Sequence, residues 1–123
     1  MDLTKLLIYA YIIFFISAGI NHFINPQFYD SIVPDFIPYP RQVHQFTGVL
    51  EIIIPLLFLT RFRKEAALMM IIFLIILYGA NFYVWYYNLP YGRTYFSNQQ
   101  HFFRFILQII YIYITYVIYV YDK

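Results

Sequence analysis

The sequence predicts an all-α integral membrane protein, a four-helix bundle formed by a single unit spanning residues 1–123. Three observations lead there. Hydrophobic residues make up 63% of the chain and charged ones only 11%, with a mean hydropathy of +0.64, a balance unsuited to a soluble domain. The apolar residues gather into four blocks, at about 3–20, 43–59, 66–87 and 102–121. Each approaches or reaches the roughly 17 to 25 residues a helix needs to span a bilayer. No alternation of about ten residues recurs, so a barrel is not expected, and backbone groups in lipid must then be satisfied within helices. The expected helices cover about 3–22, 43–60, 65–87 and 101–121.

The first block has a rival reading. Lys5, a short apolar stretch and Ser17-Ala18-Gly19 resemble a cleaved signal peptide. Against this, Asn21-His22-Phe23 follow at once. Losing the helix would also leave the polar positions of the other spans without a facing wall.

Orientation follows from the cations. Lys5, Arg61, Arg63, Lys64 and Lys123 fall at one end of the expected helices, Arg41 and Arg93 at the other. The richer end should be cytoplasmic, giving N-in and C-in termini. Phe82, Tyr83, Trp85, Tyr86 and Tyr87 then form an aromatic girdle at the outer end of the third helix. The link at 60–65 is short, making the second and third helices an antiparallel hairpin. Residues 25–42 hold Pro26, Pro34, Pro38 and Pro40 among Phe28, Tyr29, Ile32, Val33 and Phe36. Prolines remove donors and restrict their predecessors, so one regular helix is excluded. The apolar side chains nevertheless need cover, which predicts an ordered, proline-rich outer cap between the first two helices, partly short helix.

Charged and amide side chains inside spans are costly in lipid and must find partners. Here they are Glu51, Asn81, Arg104 and Gln108. His44, Gly48 and Glu51 share one face of the second helix, and His101, Arg104 and Gln108 one face of the fourth, because steps of three and four residues return to the same side. At about 1.5 Å per residue, these positions, with Asn21 and His22, reach the outer half of the bilayer. A single polar cluster beneath the cap is expected, with Glu51 paired to Arg104 so that neither charge is isolated. Such a network either fixes helix register or forms the floor of a ligand pocket. Gly48 and Gly79 should allow close helix approach, and Pro55 should kink the second helix.

Several chemistries are disfavoured. The net charge of +2 is dispersed, so no nucleic-acid footprint is expected. Cysteine is absent, which excludes disulfides, thiol exchange by this chain and cysteine-ligated metals. His22, His44 and His101 are not spaced to make a ligand pair on any one helix, and no metal site is expected.

The succession Ala18-Gly19, His22-Phe23, Ile32-Val33-Pro34 with Pro38 and Pro40, Gly48 with Glu51, Ala80-Asn81, and Arg104 with Gln108 resembles the DoxX-like family of small bacterial membrane proteins. The resemblance runs from the first helix into the fourth. It implies a four-helix fold in the bacterial cytoplasmic membrane and a link to thiosulfate:quinone oxidoreductase and other redox-associated complexes. It implies a polar pattern at His22, Glu51, Asn81, Arg104 and Gln108, a quinone as cofactor, and a membrane or soluble redox partner. Relatives that work with thiols carry cysteines, and this chain departs from them.

The expected function is thus a redox-associated subunit binding a quinone or similar lipophilic molecule at His22, His44, Glu51, Asn81, Arg104 and Gln108. In that reading Glu51 handles protons, Arg104 stabilises negative charge and a histidine bonds the ligand oxygen. Two alternatives stand beside it: a non-catalytic anchor or assembly subunit, and a small-solute transporter, for which no inverted repeat is visible. The bilayer is the expected surrounding, and a homo-oligomer is compatible with each reading.

Overall fold

The computed structural model describes residues 2–121. Among them the chain is helical, with no strand beyond an isolated bridge between Tyr91 and Thr94. Its elements are α1 (Leu3–Ile24), α2 (Pro26–Asp30), α3 (Pro40–Leu56) continued by a 3-10 turn (Leu57–Leu59), α4 (Arg63–Tyr87) and α5 (Asn98–Val120). Four of these are long and apolar enough to cross a membrane: Leu3–Ile24, Pro40–Leu59, Arg63–Tyr87 and Asn98–Val120.

The ends of the helices follow local chemistry. Asp2 caps α1 by accepting from the Thr4 N–H at 2.9 Å. Ser97 and Gln100 form a reciprocal capping box on α5, satisfying donors that a first turn leaves free. Asn88 ends α4 in the left-handed conformation at φ 52°, which asparagine tolerates well. Pro40 opens α3, so that helix starts earlier than hydropathy alone suggests; a proline at the first position loses no helical bond. Pro55 lies buried inside α3, and the helix tightens into 3-10 two residues later.

The helices pack chiefly as two pairs, α1 along α3 and α4 along α5. The apolar core sits toward the end that holds the termini. There Ile8, Tyr11, Ile12 and Phe15 of α1 meet Ile54 and Phe58, Ala66, Ala67, Met70, Phe73 and Leu74 of α4, and Ile118 of α5. One polar link crosses this core. The Thr115 hydroxyl donates to the Tyr111 carbonyl at 2.7 Å, so the Tyr11 phenol is the donor in its 2.6 Å bond to Thr115. The Tyr121 hydroxyl donates to Asp2 at 2.6 Å, tying the two ends of the chain together. Lys5, Arg61, Arg63 and Lys64 flank the same end; Lys123 lies outside the described residues.

The first pair approaches closely at Gly19 and Gly48. A Cβ on Gly48 would stand 2.9 Å from the Gly19 oxygen and from His22 Cβ, and one on Gly19 would stand 2.5 Å from the Gly48 oxygen. Backbone thus meets backbone, as small residues permit. Gly79 differs from expectation: nothing lies within 4 Å of its would-be Cβ. It faces away from the neighbouring helices and brings none of them closer.

Residues 25–39 cross the opposite end of the helices. α2 packs on α1 and α3, Phe36 meets Tyr83 of α4 edge-on at 6.2 Å, and Phe28 stacks on Tyr91 at 5.5 Å. The Ser31 hydroxyl accepts from the Gly92 N–H at 2.9 Å, fastening the α4–α5 connection to this segment. An ordered, partly helical cover therefore forms, as the proline-rich composition predicts.

Candidate functional site

The polar residues predicted to cluster do lie near this second end, but they divide into two groups according to helix pair. Between α1 and α3, the close approach at Gly19 and Gly48 puts His22 one turn beyond the crossing, against His44 and Glu51. His22 Nδ1 stands 3.3 Å from His44 Nδ1. His22 Nε2 stands 3.5 Å from Glu51 Oε2, at the outer edge of hydrogen-bonding range. That carboxylate oxygen is buried with no hydrogen-bond partner. His44 Nε2 lies 2.8 Å from Asp30 Oδ1, and Arg41 donates to Asp30 Oδ2 at 2.7 Å. The result is a file of side chains, Glu51, His22, His44, Asp30 and Arg41, running from a buried acid to an exposed base. Tyr29 stacks on His22 with ring centres 3.8 Å apart and accepts from the Asn21 amide at 2.7 Å.

The α2 residues are tuned by these contacts. The Arg41 guanidinium bonded to Asp30 holds its carboxyl below the usual range, with His44 adding to the effect. Burial pushes the Tyr29 phenol up.

Between α4 and α5, Arg104 donates to Asn81 Oδ1 at 3.1 Å. The Tyr91 hydroxyl donates to the same oxygen at 2.8 Å. Arg104 also lies over the Tyr91 ring at 4.5 Å and the Phe96 ring at 5.6 Å, a cation–π arrangement that compensates part of its lost hydration. Its Nε is buried without a hydrogen-bond partner, as is His101 Nε2. His101 stacks on Trp85 at 5.6 Å. Gln108 stands apart, donating to the Leu74 carbonyl on α4 at 2.6 Å. This bond holds the two helices in register.

The expected Glu51 to Arg104 pair is therefore corrected. Glu51 faces His22 at 3.5 Å, and Arg104 donates to Asn81. The reason is adjacency: α3 packs on α1 and α5 on α4, so charge complementarity between α3 and α5 is overruled by which helix faces touch. The His22 to His44 contact arises the same way, from two helices, where spacing within one helix revealed nothing. Asp30, Tyr29 and Tyr91 were absent from the sequence-derived site. Their residue types carried a signal, an acid and phenols within a cover that hydropathy places against the polar ends, but only the fold tells which of them turn inward.

Two open grooves mark the surface. One of about 540 Å³ is lined by Ile37, Pro38, Tyr39, Gln42, Val43, Phe46 and Thr47, and is almost wholly apolar. The other, of about 390 Å³, runs along α5 past Phe96, Gln99, Gln100, Phe103, Arg104 and Leu107. Glu51, His22, His44 and Asn81 line neither. Arg104 is the cation that reaches a groove wall.

A family model described as a domain of unknown function, DUF8561, matches residues 12–119. The chain belongs to the DUF8561 family. The matched region takes in His22, His44, Glu51, Asn81, His101, Arg104 and Gln108, so both polar groups fall inside the family's domain. Among curated proteins and among solved structures, nothing matches the chain.

Proposed function

We propose that this DUF8561 protein is a DoxX-like, multi-pass subunit of the bacterial cytoplasmic membrane that binds a quinone or a similar lipophilic molecule at the polar end of its helices. In this reading the four helices form a transmembrane bundle with cytoplasmic termini, and residues 25–39 cap it on the outer side. Lys5, Arg61, Arg63 and Lys64 beside the termini support that orientation. The order and spacing of the short motifs named above support kinship with DoxX-like proteins.

The observation that carries the ligand reading is Arg104. Its guanidinium borders an open groove flanked by Phe96, Phe103 and Leu107, yet its Nε is buried with no acceptor. A cation at the wall of a groove among apolar side chains is placed to hold a carbonyl oxygen at the head of an apolar molecule. Phe103, well exposed on the helix, offers apolar surface to the ligand's body. A bound quinone would supply a two-electron couple. This chain's own part is to hold the head by Arg104, to keep Arg104 aimed through Asn81 and Tyr91, and to handle protons at Glu51. With no cysteine present, electrons would come from a membrane or soluble redox partner.

Ligand-induced stabilisation tests this, because whatever binds only the folded state raises its melting temperature. Ubiquinone and menaquinone analogues should raise the melting temperature of the wild type in mild detergent, and should do so much less for Arg104→Gln. A panel of quinones and isoprenoids that shifts both alike, or neither, would leave the anchor or assembly role as the better account. Reporter fusions test the orientation separately: a C-terminal fluorescent protein that stays dark beside an active C-terminal phosphatase fusion would overturn it.

A further inference from the structure

With both imidazoles neutral, the hydrogen-bonding roles in the file from Glu51 to Asp30 follow from matching donors to acceptors. Asp30, held by Arg41, is an acceptor, so His44 Nε2 at 2.8 Å carries hydrogen. In a neutral imidazole the other nitrogen is then a lone pair, and His44 Nδ1 can only accept. His22 Nδ1, 3.3 Å away, must supply the hydrogen, since two facing lone pairs would repel. His22 Nε2 is in turn a lone pair, with Glu51 Oε2 3.5 Å away and not yet hydrogen-bonded. The matching carboxyl is the neutral acid, with its hydrogen available to His22. The His22–His44 and His44–Asp30 links then each hold one hydrogen between two heavy atoms and point the same way, and the Glu51 link joins them once its gap closes.

We infer that Glu51, His22, His44 and Asp30 form a proton-transfer file between the interior of the helices and the surface beside Arg41. A transfer outward moves four hydrogens by one link each. Glu51 gives its proton to His22 Nε2, His22 gives its Nδ1 hydrogen to His44 Nδ1, His44 gives its Nε2 hydrogen to Asp30, and Asp30 releases one to water. Glu51 ends as the carboxylate and both imidazoles end as their other neutral tautomers, with the His44 Nε2 lone pair left facing the Asp30 carboxylate, a repulsion that favours reloading. No charge is left on either ring, which suits histidines that are 5% and 3% exposed. The reverse sequence reloads Glu51.

The Glu51 to His22 link is the long one, and it acts as the gate. The carboxyl torsion of glutamate is soft, so rotation of the terminal group closes the gap. The groups that face the file are Tyr29 on α2, stacked over His22, and Arg41 on α3, which holds Asp30 ionised at rest. Neither interrupts the sequence of links. The file stands whether or not a ligand occupies the Arg104 groove.

Two measurements on the full chain in lipid nanodiscs test it. Infrared spectra taken on transfer to D2O should show a carboxylic C=O band that Glu51→Gln removes and that shifts as the acid exchanges. Its exchange should slow by more than about tenfold in His22→Phe and His44→Phe, the scale of a lost positioned proton carrier, and should be unchanged in His101→Phe. Because the histidine variants lie in the α1–α3 contact, the wild type supplies the second measurement. With ¹⁵N-labelled histidine, magnetic resonance should show a coupling between the Nδ1 atoms of His22 and His44 through one shared hydrogen, with His101 as the uncoupled reference. Absence of a Glu51 acid band, exchange that ignores both histidines, or absence of that coupling would overturn the inference. So would a stoichiometric metal ion in the purified protein that His44→Phe removes, since a metal would then occupy the place of the shared hydrogen.

Discussion

His22 and His44 can bring their Nδ1 atoms to 3.3 Å only because Gly19 and Gly48 let two helix backbones touch one turn away. A methyl group on Gly48 would press on both the Gly19 oxygen and His22 Cβ. Gly48→Ala should therefore force α1 and α3 apart and destabilise by about 1 to 3 kcal/mol, the usual cost of overpacking. Gly79→Ala, facing open space, should instead be neutral or stabilising by up to about 1 kcal/mol, since alanine is the better helix former. Thermal unfolding of the two variants in one detergent separates these outcomes; equal destabilisation would contradict the packing described.

The second prediction concerns coupling. Glu51 and Arg104 share no hydrogen-bond partner, so the effects of Glu51→Gln and Arg104→Gln on stability should add to within about 0.5 kcal/mol. Arg104 and Asn81 do meet, and Arg104→Gln with Asn81→Ala should deviate from additivity by about 0.5 to 3 kcal/mol. A double-mutant cycle that reverses this pattern would place α3 against α5.

A third follows from the crossing of the apolar core. Tyr11→Phe leaves Thr115, which is fully buried, without the donor it receives at 2.6 Å. The loss should be about 1 to 2 kcal/mol. Thr115→Val should cost a similar amount by stranding the Tyr11 hydroxyl, and the double variant should cost less than the sum.

The fourth concerns pH. Asp30 has a depressed pKa in the folded protein, chiefly through Arg41. Its contribution to stability is therefore complete above the unfolded-state value of about 3.9 and is lost as pH falls through the lower folded-state value. The melting temperature of the wild type should drop more steeply than that of Asp30→Asn on acidification from about pH 5 to about pH 2. Parallel curves would show that the Arg41 to Asp30 contact contributes nothing.

The helices were readable because their signal is carried by length and hydropathy, which depend on no partner. All four long helices appear near their expected places, and the differences at Pro40, Arg63 and Asn98 come from polar first turns that hydropathy undercounts. That His22, Glu51, Asn81 and Arg104 lie toward the same end of the helices was readable too, since position along a helix is only a count of residues at a fixed rise. Who meets whom was not. Pairing Glu51 with Arg104 assumed that opposite charges at one depth find each other, whereas backbone contact at Gly19 and Gly48 decided that Glu51 faces α1. Gly48 was recognised as a point of approach, but its counterpart Gly19 was noted only within a motif. The pair, not either glycine alone, sets which side chains become neighbours.

Trp85 is the sole tryptophan of the chain, and it stacks on His101 with ring planes 12° apart, a short distance from the Arg104 groove. The protein thus carries a built-in optical reporter at the end of its helices where the polar chemistry lies. Protonated imidazole quenches indole emission and the neutral ring does so far less. The fluorescence of this one residue therefore follows the charge state of His101. No label needs to be attached, and the four apolar helices contribute no competing indole signal.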